Sequence, residues 1–399
     1  MGTQSHSEIG HLPERELSFK SFIHSFIQAT MNAQVKKFKI VKCLGEGNYS
    51  EVFEVISTHE MNATESYAMK RFNLVNKESL HCAQREFRIL KRIANTRSRS
   101  NFLTTIFYST FLYGSPLFFL TKGSGFNLTH LLNCYRCLRV PIAKFYLSEV
   151  ICGLEQLHSC GIVHLDIKPD NILISNSGHV LITDFDCAFD MAFYNGHSRS
   201  DDFRGTYLYI APEILTRRQI SYKADIFSLG ITMAQLVMGR VPLYHKEGDT
   251  DPVTFKWIFG IPQHLMLLLR MFLHACIAFE PDDRPNIEEV KRFALFSDVN
   301  WDAEALLQRN PPYSILDIRS NMEELEDNIS NSSDYPIVLR PDSRRSYNPD
   351  DNSVTLRRRL RKTVSMLYNF NAAPCVATLS PSEIEDLQTT FEFVNEMAF

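Results

Sequence analysis

The chain has 399 residues, which is too long for one small domain and predicts two or three lobes or domains. Its hydrophobic fraction of 44% is ordinary for a globular core, and a formal net charge of −4 excludes a strongly basic protein built mainly to bind nucleic acid or membranes. The nine cysteines are scattered, and no basic patch precedes an apolar stretch at the N-terminus. We therefore expect an intracellular protein with reduced thiols, cytoplasmic or nuclear, without a membrane span.

Residues 1–37 form a predicted N-terminal extension with an amphipathic helix. Its apolar side chains recur at i, i+3, i+4, i+7 and i+8 spacing, at Phe19, Phe22, Ile23, Phe26 and Ile27. A stripe of this kind either packs on the main body of the protein or binds a partner. Both alternatives stay open.

The middle of the chain changes its pattern once. Residues 38 to about 120 are strand-like, with one helical segment near Glu86. Residues 127–296 are mainly helical, with strand-like runs at 172–174 and 180–183. A small β-rich part followed by a larger helical part predicts an α+β protein with two lobes.

We place the boundaries of the small lobe at 38–122, of the large lobe at 123–296 and of a C-terminal tail at 297–399. Beyond residue 296 the composition shifts, and Asn, Ser, Pro and Asp dominate residues 328–353. A composition of this kind predicts an extended and partly disordered tail.

Gly45 and Gly47 lie between two apolar runs at 40–44 and 52–55. Glycine lets the backbone turn tightly and bring its N–H groups close to phosphate oxygens. Flanking strands on both sides suit a hairpin flap over ATP better than a turn that leads into a helix. These residues alone leave an ordinary hairpin as the alternative, because Ser50 occupies the position of a third glycine.

Lys70 ends an apolar strand-like run, and Glu86 follows within a helical pattern. A lysine in a buried strand is costly unless it is paired. A Lys70–Glu86 pair between strand and helix would hold the ammonium over the α- and β-phosphates of a nucleotide. The alternative is an ordinary pair on the surface.

A polar loop carries Asp166, Lys168 and Asn171 within six residues, and Asp184 follows the next strand-like run. An acid can accept the proton of an incoming hydroxyl, and a lysine can neutralise a transferring phosphoryl group. Magnesium takes few protein ligands because it keeps its waters, so one Asn and one Asp are enough to bind it. The loop therefore predicts phosphoryl transfer.

Four motifs follow one another at residues 164–173, 184–186, 205–213 and 224–230: HLDIKPDNIL, DFD, GTYLYIAPE and ADIFSLG. In this order and at these intervals they resemble the subdomains of eukaryotic protein kinases. The resemblance covers about residues 38–296 and part of the tail. It implies the two-lobed protein kinase fold, with ATP and Mg²⁺ as cofactors and with protein hydroxyls as acceptors.

The resemblance implies a role for each matching position. It implies catalytic roles for Asp166, Lys168, Lys70 and Glu86, and metal binding by Asn171 and Asp184. It implies a nucleotide site formed by Leu44, Gly45, Gly47, Val52, Ala68, Lys70, Leu120, Asn171 and Asp184, with Thr121–Gly123 as the hinge. It also implies an activation segment that ends at Glu213, a buried pair of Glu213 with Arg284, and an anchor of the catalytic loop at Asp225.

Lys168 is typical of the Ser/Thr class, and the closest resemblance is to the AGC group. The run from Ile167 to Phe185 and the start of the tail, up to Pro312, are similar to that group. The segment Phe391–Asn395 resembles its hydrophobic motif, which docks back on the small lobe. Gln388 stands where the first aromatic residue of that motif belongs, so a plain amphipathic end is the alternative.

Several positions depart from the family pattern. Asp186 replaces a Gly that permits flipping of the segment, and it adds an acid near the metals. Leu165 replaces an Arg that meets a phosphate of the activation segment in the family. Asp202 and Glu392 fall at two positions that carry phosphates in the AGC group, which suggests constitutive priming; a carboxylate carries less charge than a phosphate. The alternative is a solvated acid on a loop.

Substrate selection and localisation rest on fewer residues. Asp170 resembles an acid that recognises a basic residue upstream of the target hydroxyl, but Asn127 replaces its partner acid. A basic cluster at 357–362 lies beside Thr363 and Ser365. It is either a solvated stretch or a phosphorylation or nuclear-import site.

We therefore predict an intracellular Ser/Thr protein kinase that acts on protein substrates. The alternatives are a pseudokinase that binds nucleotide as a scaffold, favoured by Asp186 and Ser50, and a small-molecule kinase of the same fold. The N-terminal helix and the C-terminal tail are the candidate contacts for a regulatory partner.

Overall fold

The computed structural model describes residues 38–57, 66–96, 101–112, 114–193, 205–216, 218–241, 243–244, 256–257, 266–331 and 381–394. Its strands are β1 (Phe38–Glu46), β2 (Ser50–Ser57), β3 (Ser66–Phe72), β4 (Ile106–Leu112), β5 (Ser115–Leu120), β6 (Phe126–Asn127), β7 (Ile162–Val163), β8 (Ile172–Ile174), β9 (Val180–Ile182), β10 (Phe189–Asp190), β11 (Leu243–Tyr244), β12 (Lys256–Trp257) and β13 (Phe393–Val394). Its helices are α1 (Lys77–Ala94), α2 (Leu128–Tyr135), α3 (Val140–Ser159), α4 (Pro212–Leu215), α5 (Lys223–Met238), α6 (Leu267–Cys276), α7 (Ile287–Lys291), α8 (Ala303–Leu307), α9 (Ile315–Asn331) and α10 (Pro381–Phe391).

The N-terminal lobe is a six-stranded antiparallel sheet in the order β1-β2-β3-β5-β4-β13. Helix α1 belongs to this lobe and begins with a capping box, in which the Asn76 side chain accepts from Ser79 N and Ser79 Oγ accepts from Asn76 N. Lys91 and Arg92 lie in its last turn, where positive charge favours the helix dipole. The strand-like pattern with one helix near Glu86 is thus confirmed.

The C-terminal lobe is mainly helical. Helix α3 and helix α5 are both buried along most of their length, and they pack against each other at its centre. The short strands β6, β8 and β9 form a small sheet next to them, and β7 pairs with β10. The α+β, two-lobed architecture predicted from the sequence is confirmed.

A short segment joins the two lobes side by side in addition to the hinge. Leu103 bridges Ile182 in parallel, Thr104 N donates to Ile182 O over 2.9 Å, and Ile182 N donates to Phe102 O over 2.8 Å. One large hydrophobic core runs through both lobes, with Phe102, Leu103 and Ile182 as buried members. The lobes therefore meet through apolar packing directly beneath the strand that leads to Asp184.

The tail returns to both lobes. Helix α9 packs on α2 of the C-terminal lobe, where Tyr135 and Tyr313 stack with their ring centroids 4.3 Å apart. At the other end of the chain, β13 extends the sheet by pairing with β4. The composition did not predict helices α8 and α9, and α9 continues through the first residues of the stretch 328–353.

Some predictions concern residues outside the described ranges. The N-terminal amphipathic helix, Asp202 and the basic cluster at 357–362 belong to this group, and the lobe and tail boundaries stay predictions.

The most apolar stretch of the sequence, residues 265–279, contains α6, whose Leu269, Phe272 and Leu273 are buried. Within the ranges given above, no helix has the length and apolar character that crossing a bilayer requires.

Candidate active site

Lys70 lies at the centre of the candidate site. Strand β3 places it opposite Val52 of β2 and Phe118 of β5, and the residue is 5% exposed. Its Nζ lies 2.6 Å from Glu86 Oε2 and 2.7 Å from Asp184 Oδ1. The predicted pair of Lys70 with Glu86 is therefore present, and it extends to a second carboxylate.

The charges around Lys70 fix its ionisation. Burial alone would lower the pKa of Lys70, but the carboxylates of Asp184 and Glu86 outweigh burial and raise it. The ammonium thus stays charged in the core of the site. Burial raises the pKa of Glu86 although Lys70 opposes this effect, whereas Lys70 lowers the pKa of Asp184 against the effect of burial.

Asp184 follows β9 with its backbone in the left-handed region, at φ +69°. Asp occupies this region more readily than most residues. Its side chain is 36% exposed, while that of Glu86 is 2% exposed. Asp184 is thus the member of the Lys70 cluster that a ligand can reach.

Asp186 replaces the family's Gly without adopting a left-handed backbone. Left-handed values among the described non-glycine residues occur at Arg136, Leu165 and Asp184 instead. Burial and the neighbouring Asp184 raise the pKa of Asp186 to about 6. The backbone carbonyl of Asp186 accepts a hydrogen bond of 2.8 Å from Arg85 Nη1 on helix α1.

Asp166 is held from several sides in the loop between β7 and β8. Its Oδ1 accepts from Thr206 N over 2.8 Å, and its Oδ2 accepts from Lys168 Nζ over 2.7 Å and from Asn171 Nδ2 over 2.8 Å. Lys168 Nζ also donates to Thr206 Oγ1. Burial would lower the pKa of Lys168, but Asp166 raises it, so this ammonium is charged as well.

Asp225 of helix α5 anchors this loop, as predicted. Its Oδ2 accepts from His164 N and its Oδ1 from Leu165 N, each over 2.8 Å, and His158 Nε2 lies 2.9 Å from Oδ2. Leu165 has φ +64°, a conformation that a leucine adopts only under constraint from its surroundings. The two N–H bonds to one buried carboxylate supply that constraint.

Asn171 offers an oxygen to a metal. Both of its side-chain hydrogen bonds use Nδ2, which donates to Asp166 O and to Asp166 Oδ2. Its Oδ1 is therefore left as an acceptor. Together with the reachable carboxylate of Asp184 this makes a small set of hard oxygen donors, which fits Mg²⁺. Across the described ranges no group of three or more His, Cys, Asp or Glu residues is arranged to bind a metal.

The predicted nucleotide-binding residues other than Asn171 and Asp184 lie on the N-terminal sheet or, for Gly47, in the turn between β1 and β2. Gly45 lies opposite Val52 and Ala68 lies opposite Leu120 in the strand register. Gly47 N donates to Ser50 O over 2.7 Å and closes the hairpin between β1 and β2. Partly buried Leu44 and Val52 border the same core cluster that contains Ala68 and Leu120. The structure thus brings this apolar set onto four consecutive strands of the sheet, β1, β2, β3 and β5.

The predicted hinge at residues 121–123 is fixed by side-chain contacts and by close packing. Lys122 Nζ donates to Glu54 Oε1 over 2.6 Å and to Ser66 Oγ over 2.8 Å, so the hinge is tied to β2 and β3. A Cβ on Gly123 would lie 3.2 Å from Ile174 O, which leaves little room for a side chain there.

Asn127, which replaces the expected partner acid of Asp170, caps α2 and donates through Nδ2 to Asp170 O over 3.1 Å. It therefore supports the loop that carries Asp170 and supplies no negative charge.

Sequence reasoning missed the residues that hold the site from a distance. Arg85 and Arg92 of α1 contact the start of the activation segment, at Asp186 and Asp190. Arg309 of the tail donates to Glu149 Oε1 over 2.9 Å, and this carboxylate also accepts from His179 Nδ1 over 2.8 Å. The partners in these pairs are 30 to 160 residues apart, and no local pattern marks such partners.

The sequence model of the protein kinase domain family matches residues 38–296. The chain belongs to the protein kinase domain family. Ribosomal protein S6 kinase alpha-6 of Danio rerio is 29% identical over 296 residues, which are 73% of this chain and 39% of that protein. Ribosomal protein S6 kinase 2 alpha of Xenopus laevis is 29% identical over 311 residues, 76% of this chain and 42% of that protein.

A human relative gives the same picture for this kinase-family chain. Ribosomal protein S6 kinase alpha-2 of Homo sapiens is 29% identical over 296 residues, 73% of this chain and 40% of that protein. The resemblance to Ser/Thr kinases of the AGC group is thereby confirmed. The chain spans about two fifths of the length of these relatives, 39% to 42%. Family membership implies the use of ATP and a divalent metal and an action on proteins.

Proposed function

We propose that this chain is a Ser/Thr protein kinase that transfers the γ-phosphoryl group of ATP to hydroxyl groups of intracellular proteins. One observation carries the proposal: Lys70 Nζ lies within hydrogen-bond distance of both Glu86 and Asp184, at 2.6 and 2.7 Å. Three parts of the chain from both lobes, β3, α1 and the turn that follows β9, must be placed correctly for this contact. It is the arrangement that phosphoryl transfer in this family requires.

The residues of the chain divide the work between binding and transfer. The apolar set Leu44, Val52, Ala68 and Leu120 suits an adenine ring, and Gly45 and Gly47 let the hairpin approach phosphates. Lys70 neutralises phosphate charge, with Glu86 as its positioning partner. Asp184 and Asn171 would hold Mg²⁺, which when bound with ATP supplies the divalent charge that offsets the negative phosphates.

Asp166 and Lys168 act at the acceptor. The carboxylate of Asp166, held by Thr206 N and Asn171 Nδ2, orients the hydroxyl of the acceptor and takes its proton. Lys168 bridges Asp166 and Thr206, so its charge lies where the transferring group would pass. Catalysis then rests on positioning and on electrostatics rather than on a covalent intermediate with the protein.

The rival proposal, a nucleotide-binding scaffold without turnover, has less support. It rested on Asp186 and on Ser50 in place of glycines. Asp186 has no left-handed backbone, and Lys70 still contacts Asp184. Ser50 is a buried strand residue whose carbonyl closes the hairpin with Gly47 N. Neither replacement removes a group that the reaction needs.

Transfer of labelled phosphate tests this proposal. The full chain is incubated with γ-labelled ATP, Mg²⁺ and a basic Ser-containing peptide, and Asp166→Asn is compared with wild type. We expect a loss of roughly 100-fold or more in the rate, since general base catalysis contributes about 10²–10⁴-fold. Nucleotide affinity, measured separately, should change little because Asp166 faces the acceptor.

Asp298→Asn is the matched control, because it makes the same chemical change at an exposed carboxylate paired with Lys144. It should transfer phosphate at the wild-type rate. Wild-type protein that binds ATP but labels neither the peptide nor any protein acceptor would reject the kinase and leave the scaffold.

A further inference from the structure

Helix α1 carries three arginines on the side that faces the start of the activation segment: Arg85, Arg88 and Arg92, here called the arginine row. Their i, i+3 and i+7 spacing places them one above the other on one face of a helix. Glu86, the partner of Lys70, lies on the same helix. A contact that holds the arginine row in position therefore also holds Glu86 in position.

The contact between Arg92 and Asp190 is the strongest of the row. Arg92 Nη1 lies 2.6 Å from Asp190 Oδ1, and the Asp190 side chain is only 4% exposed. The same oxygen accepts from Ala192 N over 3.0 Å and from Phe193 N over 3.1 Å. Asp190 thus both turns the chain after β10 and presents its charge to α1. A charge-assisted bond to a buried carboxylate is among the stronger hydrogen bonds in proteins.

The other two arginines contact the segment on either side of Asp190. Arg85 Nη1 donates to Asp186 O over 2.8 Å, and Arg85 is 9% exposed. The guanidinium of Arg88 lies 3.7 Å from the ring centroid of Phe193, a cation–π distance. The row therefore holds the segment at three points through three different kinds of contact.

The segment that the row holds is itself fixed to the C-terminal lobe. Strand β10 pairs with β7, with Phe189 opposite Val163, and Met191 N donates to Gly161 O over 2.9 Å. The arginine row consequently connects a helix of the N-terminal lobe to the body of the C-terminal lobe. Glu86 lies at one end of this connection and Asp184 at the other, and Lys70 binds both.

Among the described residues, the contacts at the base of the segment come from α1 and from β7. Leu165 occupies the loop position next to Asp166, and both Leu165 and Phe189 are buried apolar residues. We propose that the arginine row acts as a clasp that keeps α1 and the start of the activation segment in the catalytic arrangement without phosphorylation of the segment. Arg92 and Asp190 are then positioning residues. This inference rests on the proposed kinase function but is tested independently of it.

Hydrogen exchange of α1 in the full, phosphatase-treated chain tests the clasp, with the phosphorylation state verified by mass spectrometry. We compare Arg92→Ala, Asp190→Asn and the double variant. Asp190→Asn keeps an oxygen that accepts from Ala192 N and Phe193 N but removes the charge that Arg92 binds. Each single variant should raise the exchange rate of the α1 amides about tenfold, because each variant loses one charge-assisted hydrogen bond. Exchange of α5 should stay unchanged.

The double variant shows whether the two residues act together. If they form one interaction, the exchange rate of α1 in the double variant should exceed that in either single variant by less than about threefold. Independent effects would instead multiply, to about a hundredfold above wild type. In the transfer assay the single variants should lower kcat, and dephosphorylated wild type should be active. Arg218→Ala, which removes an arginine from an exposed pair with Glu280, is the control and should leave α1 unchanged.

Three results would overturn the clasp. These are unchanged α1 exchange in Arg92→Ala, multiplicative effects in the double variant, and protection of α1 that appears only after phosphorylation of the segment. Wild type that transfers no phosphate while all the exchange effects occur would reject the proposed kinase function and still support the clasp.

Discussion

Asp184 and Leu165 combine unusual backbone geometry with positions beside the reacting groups. Their φ angles of +69° and +64° lie where non-glycine residues rarely occur, and such residues cost on the order of 1–3 kcal/mol each. The side chain of Asp225 accepts a hydrogen bond from Leu165 N, and Lys70 forms an ion pair with Asp184. The sequence drew attention to this segment, because Asp186 departs from the family pattern there, but it did not predict the left-handed backbone of Asp184 or Leu165.

The pair of Glu213 and Arg284 gives a stability prediction at the scale of single residues. Arg284 Nη1 and Nη2 each lie 2.7 Å from one oxygen of Glu213, and the two side chains are 1% and 0% exposed. Removing one partner leaves a buried charge without compensation. We expect Glu213→Ala to lower the free energy of unfolding by about 3–5 kcal/mol, as measured by chemical denaturation.

Arg218 and Glu280 provide the comparison for this prediction. Their side chains are 54% and 51% exposed, and their N–O distance is 3.0 Å. Exposed pairs contribute little, so Glu280→Ala should change the free energy of unfolding by less than about 1 kcal/mol. Equal losses in the two variants would show that the burial of the Glu213 pair does not matter.

Helix α10 and strand β13 act together as one docking element on the N-terminal lobe. Phe391 is fully buried, and its ring centroid lies 5.3 Å from that of Phe87 on α1 and 5.9 Å from that of Phe118 on β5. Ser109 Oγ on β4 donates to Phe391 O over 2.5 Å. The predicted docking of the hydrophobic motif is confirmed, even though Gln388 replaces its first aromatic residue and is exposed.

Phe391→Ala should release this element. Truncation of a buried phenylalanine costs about 3–5 kcal/mol, which is enough to undock a short helix and a two-residue strand. Because Phe391 contacts Phe87, we expect faster hydrogen exchange both in residues 381–394 and in α1. Thr390→Ala, an exposed neighbour in the same helix, should exchange like wild type. Faster exchange in α10 with no change in α1 would mean that the tail does not support that helix.

How far the elements could be predicted depends on how local their signals are. The run that ends in Lys70 and the polar loop at Asp166 carry their signals within a few residues, so the sequence located them. Helix α9 also had a signal, since Ile315, Ile318 and Met322 follow a helical period and are at least partly buried, but composition concealed it. The arginine row could not be predicted, because Arg92 and Asp190 are 98 residues apart in the chain.

At the scale of the whole molecule, the order of the active site depends on how the two lobes meet. Within the described residues, contacts between the lobes include the hinge position at 121–123, the segment at 102–104, the arginine row and the pair of Lys70 with Asp184, and the tail packs on both lobes. The segment at 102–104 is hydrogen-bonded to Ile182, which precedes Asp184, the predicted metal ligand, by two positions. This contact is here called the joint. Packing at this joint should therefore affect nucleotide binding more than packing elsewhere.

Gly153 of α3 makes this expectation testable. A Cβ on Gly153 would lie 2.7 Å from Ile182 Cδ1 and 3.4 Å from Phe102 O, so a larger residue pushes directly on the joint. Gly230 of α5 is equally crowded, with Ile277 Cγ1 at 2.7 Å and Cys276 Cβ at 2.8 Å, but it lies within the C-terminal lobe. Overpacking of this kind costs about 1–3 kcal/mol, so Gly153→Val and Gly230→Val should lose similar amounts of stability in thermal denaturation.

The two variants should differ in their affinity for ATP with Mg²⁺, measured by calorimetric titration at a temperature where both are folded. We expect Gly153→Val to bind several-fold more weakly than wild type, because a displaced Ile182 shifts Thr183 and Asp184 with it. Gly230→Val should bind like wild type, since its strain is confined to the packing of α5 against α6. Equal affinities in the two variants would show that the joint at Ile182 yields without moving Asp184. The coupling between lobe packing and the predicted metal ligands would then have to run through the hinge or the arginine row.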